Sequence, residues 1–555
     1  MPADILGQVY EEFLGKIIRL TPKHQAKIEE KPEVRKAGGV YYTPTYIVDY
    51  IVKNTVGKLV EGKKPGPRGG VGKLRILDSA CGSGSFLIGA YQLLLGWHRD
   101  QYVKDGAEKW AKGKTPRVYQ SQKGEWRLTT DERKRILLNN IYGVDIDHQA
   151  VEVTKLSLLL KVLEGEDEQS IGKQMALFQE RVLPDLSNNI KCGNSLIGPD
   201  FYENRQMSLL DEEEMYRVNS FDWDAEFPEI MKKGGFDAVI GNPPYISVES
   251  INKGVTEYYL KSYQTAYGRV NSFSLFIEKS VSLLKHSGFC GLITSNRILT
   301  NTQLSSLRKL LLKETFIENI LTFQKSVFKA AVDTTVLTFQ KGKIPDKQSS
   351  IKILYNIIKL ENNEYQLNRV KHLTYMNNYG HIFNVKQKEE FTKIIKIIEK
   401  KSIYLENICE VKDGIILGSI KDLFLSDSAI DNRYEKWLEG NEVSRYHIQW
   451  TGHYICYDDS LIKEELKRKR EKARKNALDD KDFKKLSRSG IWLRKPEIFK
   501  KEKILTRQNA KKLIGVYDDE NYFVKNSLHC IILINKYPFV SEFMSQNLVS
   551  ITLHG

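Results

Sequence analysis

The tetrapeptide Asn242-Pro243-Pro244-Tyr245 follows an apolar segment, FDAVIG, that is typical of a buried strand. The two prolines fix their own φ angles and restrict the residue before each of them, so the turn is stiff. The Asn242 amide and the Pro243 carbonyl would accept hydrogen bonds from an exocyclic amine, which would free its lone pair to attack an electrophile. Tyr245 would stack on the ring carrying this amine, a contact worth about 1–3 kcal/mol per base. In the alternative interpretation, Asn242 bonds its own backbone and Tyr245 packs into the core.

A turn of small residues follows an earlier strand, in the segment LRILDSACGSGSFLIGA. Asp78 ends this strand, and Gly82 and Gly84 would let the backbone approach a nucleotide-like ligand. The dinucleotide fingerprint is absent, because its third glycine would fall at Leu87. A P-loop is also excluded, because Lys73 in GPRGGVGKL is followed by leucine and precedes the strand.

A second acid, Asp145, ends the next strand in IYGVDIDHQAV and could accept both hydroxyls of a ribose. The alternative is that Asp145 or Asp147 only caps the helix that begins near Gln149. The separation between Asp78 and Asp145 far exceeds the roughly 20 residues usual in dinucleotide folds. We attribute it to an insertion over 98–139, which is polar and rich in lysine.

Strand-like segments at 76–77, 141–144, 236–240 and 291–294 alternate with helix-like segments at 85–95, 149–163 and 272–285. This alternation predicts a doubly wound α/β domain. Segments 332–339 and 351–355 are rich in β-branched residues, and we predict that they form a hairpin or strand pair closing the domain.

The two ends of the chain have a different texture. Leu6, Val9, Phe13 and Ile17 have helical spacing, which predicts a helical lead-in. A charged helix is predicted over 386–401, with a domain boundary near 390–405. The predicted domains are a helical lead-in or connector over 1–36, a catalytic domain over 37–360, a linker with a helix over 361–404 and a recognition domain over 405–555.

The composition narrows the class of protein. The 555 residues include 85 Lys plus Arg and 70 Asp plus Glu, a net charge of +15 that favours an acidic partner. No apolar segment has the roughly 18 residues of a membrane span, and the N-terminus does not resemble a signal peptide. Six scattered cysteines predict a reducing cytoplasm and no zinc site.

These motifs together resemble adenine-N6 DNA methyltransferases of the gamma class, which use S-adenosylmethionine, and in particular the methyltransferase and specificity parts of single-chain type IIG restriction-modification enzymes. GGVYYTPTYIVDYIV resembles the leading motif that covers the cofactor, DSACGSGSFL the glycine-rich turn, GVDID the ribose acid, and IKCGNSLIG the strand end beside the cofactor adenine, where many relatives carry Asp. NPPY is the catalytic tetrapeptide unchanged. The resemblance implies a cofactor site made of Tyr42, Thr43, Pro44, Asp78, Ala80, Gly82, Gly84, Asp145 and Asn194.

The resemblance also implies a second aromatic that stacks on the other face of a base flipped out of the duplex. Segment 271–298 and SVFKAAVDTTVLTF resemble later motifs of the catalytic core. Tyr365, which follows the predicted closing hairpin, is our candidate for the second aromatic. The alternative is an exposed aromatic in the polar loop LENNEYQLN.

The C-terminal region, including LEGNEVSRYHIQW, resembles the recognition domain of the same enzymes. Segment 463–475 is strongly basic and would neutralise phosphates, although a solvated helical face is the alternative. Trp492 and Phe499 lie among further basic residues and favour DNA. The predicted DNA-binding residues are Lys467, Arg468, Arg470 and Arg474, with Arg507 and Gln508 at a strand end where they could read base edges.

The sequence thus predicts an α/β, Rossmann-like S-adenosylmethionine-dependent methyltransferase sheet with a helical lead-in and a C-terminal mixed α+β target-recognition domain. The expected function is methyl transfer to N6 of a flipped-out adenine in double-stranded DNA, within a restriction-modification system in a prokaryotic cytoplasm, associated with the nucleoid and without a metal. Only about 36 residues precede the first motif, and the recognition domain ends near 550–555. We therefore expect a split or truncated member with a separate nuclease or specificity subunit. The alternatives are an inert or partner-dependent DNA-specificity module and a methyltransferase of protein glutamine or RNA.

Overall fold

The chain divides into two units, Met1–Thr392 and Lys393–Gly555. This computed structural model describes residues 16–20, 26–30, 43–65, 70–164, 183–203, 215, 217–246, 253–268, 270–328, 333–343, 345, 348–418, 421–476, 492–510 and 512–534. Among these residues, no helix is both long enough and apolar enough to cross a membrane.

The first unit alternates strands and helices along most of its length. Its strands are β1 (Lys16–Leu20), β2 (Ala26–Glu30), β3 (Ile76–Asp78), β4 (Val118–Gln120), β5 (Trp126–Leu128), β6 (Ile141–Asp145), β7 (Ile190–Cys192), β8 (Phe236–Gly241), β9 (Leu284–Ser295), β10 (Thr315–Phe323), β11 (Thr334–Lys341), β12 (Ser350–Lys359) and β13 (Glu364–Lys371). Its helices are α1 (Thr45–Lys53), α2 (Val56–Val60), α3 (Ser85–Lys104), α4 (Ala107–Trp110), α5 (Thr130–Asn140), α6 (His148–Leu163), α7 (Trp223–Glu226), α8 (Pro228–Met231), α9 (Lys253–Ser262), α10 (Ser272–Leu283), α11 (Arg297–Thr300), α12 (Ser305–Glu314) and α13 (His372–Asn377).

Nine of these strands form one sheet in the order β13-β12-β10-β11-β9-β8-β3-β6-β7. Strands β9, β8, β3, β6 and β7 are parallel to one another. Successive residues of β3 point to opposite faces: Ile76 packs with α1 and α3, and Leu77 packs with α10 and α12. The sheet is therefore covered by helices on both faces, which confirms the predicted doubly wound α/β fold.

Two local predictions in this unit are wrong. The predicted helical lead-in contains two strands, β1 and β2, which pair antiparallel from Lys16 opposite Glu30 to Leu20 opposite Ala26. The β-branched pair Ile17–Ile18 suits an extended chain, whereas the helical pattern rested mainly on residues 1–15, which lie outside the described part. Strands β11 and β12 also do not pair, because β10 lies between them, antiparallel to β11 and parallel to β12.

The insertion between β3 and β6 is a folded substructure made of the second half of α3, α4, the β4–β5 hairpin and α5. Glu132 at the start of α5 is fully buried and accepts hydrogen bonds from Tyr102 (2.6 Å), Arg117 (2.9 Å) and Arg135 (2.8 Å). Burial opposes the charge on Glu132, but these donors outweigh it and hold the pKa of the carboxyl below its ordinary value. The elements of the insertion are thus held to one another by a buried charge network.

The second unit is a mixed α+β domain built around Trp437, Phe499 and Phe523, all of them buried. A helix, α14 (Glu389–Lys401), spans the division between the units. The remaining elements are β14 (Cys409–Asp413), α15 (Lys421–Phe424), β15 (Leu425–Ser426), β16 (Tyr434–Leu438), β17 (Val443–Ser444), β18 (His447–Ile448), β19 (Tyr454–Cys456), α16 (Asp459–Asn476), β20 (Lys503–Arg507), β21 (Gly515–Asp518), β22 (Phe523–Val524) and β23 (Leu528–Leu533). They form two four-stranded sheets, β14-β23-β20-β21 and β15-β19-β16-β22, and the ribbon β17–β18.

Burial in this unit corrects one prediction about DNA contacts. Phe499 is completely buried, so its ring is part of the core and is closed to a nucleic acid, whereas Trp492 is 58% exposed.

Lys503 and Asp518 form an ion pair of 2.6 Å with neither side chain exposed. Burial raises the pKa of Asp518, and the Lys503 ammonium acts against this shift.

Candidate active site

Four polar side chains stand at the carboxyl ends of four neighbouring parallel strands, in the order β8, β3, β6 and β7. Asn242 follows β8, Asp78 ends β3, Asp145 ends β6 and Asn194 follows β7 by two residues. The carboxyl edge of an open α/β sheet is where such folds bind ligands. The structure therefore brings Asp78, Asp145 and Asn194 of the predicted cofactor site to the same sheet edge as the predicted catalytic tetrapeptide.

The turn after β3 needs glycine for two separate reasons. Gly82 and Gly84 have φ angles of 53° and 87°, a region that other L-residues rarely adopt. A Cβ at Gly84 would also lie 2.9 Å from Cγ2 of Thr154 on α6. Thr154 in turn donates a hydrogen bond of 2.7 Å to the Gly82 carbonyl, so this helix fixes the turn from behind.

The two aspartates of GVDID have different roles. Asp147 is the N-cap of α6, because its carboxylate accepts from the Gln149 N–H at 2.9 Å. Asp145 instead accepts from the Gly82 N–H at 2.8 Å and from the Asp147 N–H at 2.9 Å, one on each carboxylate oxygen. Each oxygen keeps a further acceptor position, which is what two ribose hydroxyls require. Burial raises the pKa of Asp145, against the lowering effect of these backbone donors.

Asp78 lies between the glycine turn after β3 and the end of β8. Its carboxylate is almost fully buried and accepts a hydrogen bond of 3.0 Å from the Ala80 N–H. A Cβ at Gly241, the residue before the tetrapeptide, would lie 2.6 Å from Oδ1 of Asp78. Strand β8 must therefore end in glycine for the two strand ends to lie this close.

The edge beside β7 is held by two asparagines, of which only Asn194 was predicted. The Asn194 side chain accepts from the Leu196 N–H (3.1 Å) and donates to the Val218 carbonyl (3.2 Å). Asn219 has a φ of 47°, and its side chain donates to Cys192 Sγ at 3.3 Å. Asparagine tolerates this left-handed conformation. The sequence alone did not indicate that Asn219 contacts the end of β7.

The predicted catalytic tetrapeptide is held by side chains from two other segments. The Asn242 amide nitrogen donates to Thr43 Oγ1 at 3.2 Å, and the Tyr245 hydroxyl donates to Asn242 Oδ1 at 2.9 Å. Thr43 and Pro44 immediately precede α1, so the predicted leading motif reaches the tetrapeptide. Tyr42 lies outside the described residues.

Ser272, which sequence reasoning missed, anchors the far side of this turn. It is the first residue of α10, and its hydroxyl accepts from the Ile246 N–H at 2.8 Å and donates to the Pro244 carbonyl. The half-buried Tyr245 ring meets Phe273 edge-on, with centroids 6.1 Å apart. Burial raises the pKa of Tyr245, so its hydroxyl remains a donor at neutral pH.

Tyr365 lies on the edge strand β13, where its hydroxyl donates to Asn363 Oδ1 at 3.0 Å. Its ring packs against the same apolar cluster as Tyr245, a cluster that also contains the buried Phe328 of the SVFKAAVDTTVLTF segment. The stacking role of Tyr365 stays a prediction.

The predicted DNA-binding residues lie on two elements of the second unit. On α16, Arg468 pairs with Glu464 (3.0 Å) and Glu465 (2.7 Å), so much of its charge is balanced within the helix. Arg507 ends β20, and the Gln508 N–H donates to the Ser527 carbonyl at 2.9 Å. The other predicted residues of α16 are all exposed: Lys467, Arg470 and Arg474.

A parallel sheet with a glycine turn and an acid at successive strand ends defines the Rossmann-like class of methyltransferase folds. Over the described ranges, no group of three or more His, Cys, Asp or Glu residues could hold a metal ion. The structure is similar to that of the type IIL restriction-modification enzyme MmeI in complex with DNA, with a TM-score of 0.52 and 15% identity over 96% of this chain and 65% of that chain. This likeness concerns the fold alone.

Three family models match successive parts of the sequence. They are N-6 DNA Methylase over residues 2–182, Eco57I restriction-modification methylase over 139–328 and TaqI-like C-terminal specificity domain over 435–550. Residues 2–328 are thus similar to N6-adenine DNA methyltransferase families, and residues 435–550 are similar to a specificity domain.

Curated relatives agree with these matches. The type II restriction enzyme and methyltransferase RM.Eco57I of Escherichia coli is 31% identical over 63% of this chain and 32% of its own length. The adenine-specific methyltransferase PglX of Streptomyces coelicolor is 25% identical over 47% of this chain and 19% of its own. The chain thus spans less than half the length of either relative.

Proposed function

We propose that this chain transfers a methyl group from S-adenosylmethionine to N6 of an adenine in double-stranded DNA. The observation that carries the proposal is the Asn242 amide, oriented by Thr43 and Tyr245 on the strand next to the one that ends at Asp78. Because Thr43 takes the amide N–H, the amide oxygen is turned away from it and toward the Tyr245 side of the turn.

The residues present fit the cofactor. Asp145 has acceptor positions for two ribose hydroxyls, and Gly82 and Gly84 allow the left-handed turn that places the Gly82 N–H on Asp145. When bound, S-adenosylmethionine supplies an electrophilic methyl group. We assign Thr43 and Pro44, together with Tyr42, to the segment that covers the cofactor. We assign Ala80 and Asn194 to the contacts with the two ends of the cofactor.

The tetrapeptide would prepare the nucleophile. Asn242 Oδ1 and the Pro243 carbonyl accept the two hydrogens of the adenine amine, so that its lone pair no longer conjugates with the ring and can attack the methyl carbon in line. As the new C–N bond forms, the bond between the methyl carbon and the sulfonium sulfur would break with its electron pair left on sulfur, and one amine proton would leave to solvent through these acceptors. Tyr245 supports the ring by stacking, and Tyr365 is our candidate for its opposite face.

The adenine must leave the duplex to reach these groups. We therefore propose base flipping, with Lys467, Arg468, Arg470, Arg474, Arg507 and Gln508 binding the surrounding DNA. A duplex with 2-aminopurine at the target position should brighten when the protein binds. Unchanged fluorescence at saturation would contradict flipping.

The first test is transfer of labelled methyl from S-adenosylmethionine to unmethylated genomic DNA, followed by single-molecule sequencing of modified adenines. Modified adenines in one sequence context would support the proposal. Asn242→Ala should abolish transfer and leave cofactor binding intact, whereas comparable turnover in this variant would overturn the assignment. RNA and protein glutamine serve as competing substrates in the same assay, and cofactor binding without transfer to any of them would favour an inert specificity module.

We also propose that the activity belongs to a restriction-modification system in a prokaryotic cytoplasm, on the nucleoid, and that a separate nuclease or specificity subunit completes it. The support is that RM.Eco57I is both a restriction enzyme and a methyltransferase, and that this chain matches 32% of its length. Incubation of the full chain with unmethylated and fully methylated plasmid tests for cleavage by the chain itself. Cleavage of the unmethylated plasmid by this chain alone would remove the need for a separate nuclease.

A further inference from the structure

The ribbon β17–β18 ends in a two-residue loop, Arg445–Tyr446, that projects into solvent. Val443 pairs with Ile448 and Ser444 pairs with His447, so only Arg445 and Tyr446 remain between the strands. Both side chains are exposed, Tyr446 by 48%. They also contact each other, with the Arg445 guanidinium 5.0 Å from the centre of the tyrosine ring and its Nη2 donating to the Tyr446 hydroxyl at 3.2 Å.

Tyr446 stands where a turn would ordinarily carry glycine or asparagine. Its φ is 66°, in the left-handed region that bulky residues avoid. The exposed ring gains little from burial that could offset this strain. An aromatic held in a strained backbone conformation at an exposed tip indicates a role in binding and not in folding.

The loop lies beside the strand end that carries Arg507 and Gln508. The Tyr446 N–H donates to the Gly515 carbonyl at 3.0 Å, and Gly515 pairs with Thr506, the residue before Arg507. The Arg507 N–H also donates to the Ile514 carbonyl at 3.1 Å. The ribbon tip and the end of β20 therefore form one edge of the second unit.

We infer that Arg445 and Tyr446 are DNA-contacting residues that help to set sequence specificity, an inference that rests on the proposed function. A two-stranded ribbon has dimensions that the major groove of DNA admits, and an arginine fork can donate to both acceptors of a guanine edge. The Tyr446 ring stacks against the guanidinium and limits its directions. Arg445, Arg507 and Gln508 then present hydrogen-bond donors from a single edge.

The test compares full-length variants on the duplex that the wild-type chain methylates, as found by sequencing, and on a scrambled duplex. Arg445→Ala should lower affinity for the methylated sequence about ten- to hundredfold, and affinity for the scrambled duplex far less. Tyr446→Gly should also weaken specific binding, yet its melting temperature should equal or exceed that of the wild type because the strain is relieved. Arg433→Ala is the matched control, since Arg433 is an exposed arginine of the same unit that pairs with Asp431 and Asp458.

Unchanged specific affinity in Arg445→Ala would overturn the inference while methylation by the wild-type chain keeps the proposed function. A Tyr446→Gly variant that melts lower and binds the methylated sequence normally would show a folding role and overturn it as well. A wild-type chain that methylates no adenine in genomic DNA and does not bind that DNA would overturn the proposed function and this inference with it.

Discussion

The hydroxyl of Tyr245 donates to Oδ1 of Asn242 at 2.9 Å, so a hydrogen bond joins the tyrosine that we propose stacks on the base to the asparagine that we propose binds its amine. The same amide donates from its nitrogen to Thr43. Both ends of the Asn242 side chain are therefore oriented by hydrogen bonds.

Tyr245→Phe separates these two contributions of the tyrosine. We expect turnover to fall about fivefold, because a net contribution of about 1 kcal/mol from the hydrogen bond is lost while the ring remains. Tyr245→Ala should lose about 1–3 kcal/mol of stacking as well and should reduce the 2-aminopurine signal of a flipped base. Single-turnover rates and fluorescence measure the two effects. Equal behaviour of the two variants would show that the ring does not stack.

Asp145 and Asp147 form a natural pair for testing the cofactor site. Asp145→Ala should weaken S-adenosylmethionine binding about ten- to hundredfold, because hydrogen bonds to a charged acceptor contribute about 1.5–3 kcal/mol. Asp147→Ala should leave cofactor affinity nearly unchanged and lower stability by about 0.5–2 kcal/mol through the lost helix cap. Isothermal titration calorimetry and thermal unfolding distinguish them. A larger loss of cofactor affinity in Asp147→Ala than in Asp145→Ala would show that Asp147, and not Asp145, binds the cofactor.

The raised pKa of Asp145 predicts a pH dependence of cofactor binding. Because burial shifts the carboxyl above the ordinary 3.8, protonation begins at a higher pH than for an exposed aspartate. Cofactor affinity should fall as the pH drops through this raised value, since a neutral carboxyl loses its acceptor strength. Folding responds in the opposite direction: the contribution of Asp145 to stability is complete below 3.8 and is lost as pH rises through the raised pKa. Calorimetry at a series of falling pH values, with Asp145→Asn as the control whose side chain does not titrate, checks the first trend.

The buried pair Lys503–Asp518 predicts a strong effect on the second unit. Lys503→Met leaves an unpaired buried carboxylate and should destabilise this unit by about 3–5 kcal/mol. The double variant Lys503→Met/Asp518→Leu removes both charges and should regain most of that loss. Urea unfolding of the full-length variants gives both numbers. A double variant as unstable as the single one would show that the pair contributes more than charge compensation.

Local patterns allowed much of the fold to be predicted. The strands at Ile76–Asp78, Ile141–Asp145 and Phe236–Gly241 are short apolar segments bounded by turn residues, so their type could be recognised without their partners. Their alternation with helices then implied a doubly wound sheet and a shared carboxyl edge. The sequence therefore predicted that Asp78, Asp145 and Asn242 lie at the same edge of the sheet.

Features that depend on distant partners could not be predicted. Nothing in β11 or β12 indicates that β10 lies between them, because strand pairing depends on contacts far apart in the sequence. From the sequence alone, Asp145 and Asp147 are equally good candidates for the helix cap. Only the hydrogen bond from the Gly82 N–H to Asp145 distinguishes their roles. Ser272 resembles any serine at a helix start until the tetrapeptide is folded against it.

The strand order β8-β3-β6-β7 also gives the site a fixed scale. Neighbouring strands lie about 4.8 Å apart, so the positions from Asn242 to Asn194 are spread over about 14 Å in nearly equal steps. The strand spacing therefore sets the distances between the groups that would contact the ligand. A ligand bound at the β7 end would reach Asn242 only if it spans the three intervals between these four strands. An analogue shorter by one interval would end about one strand spacing away from Asn242.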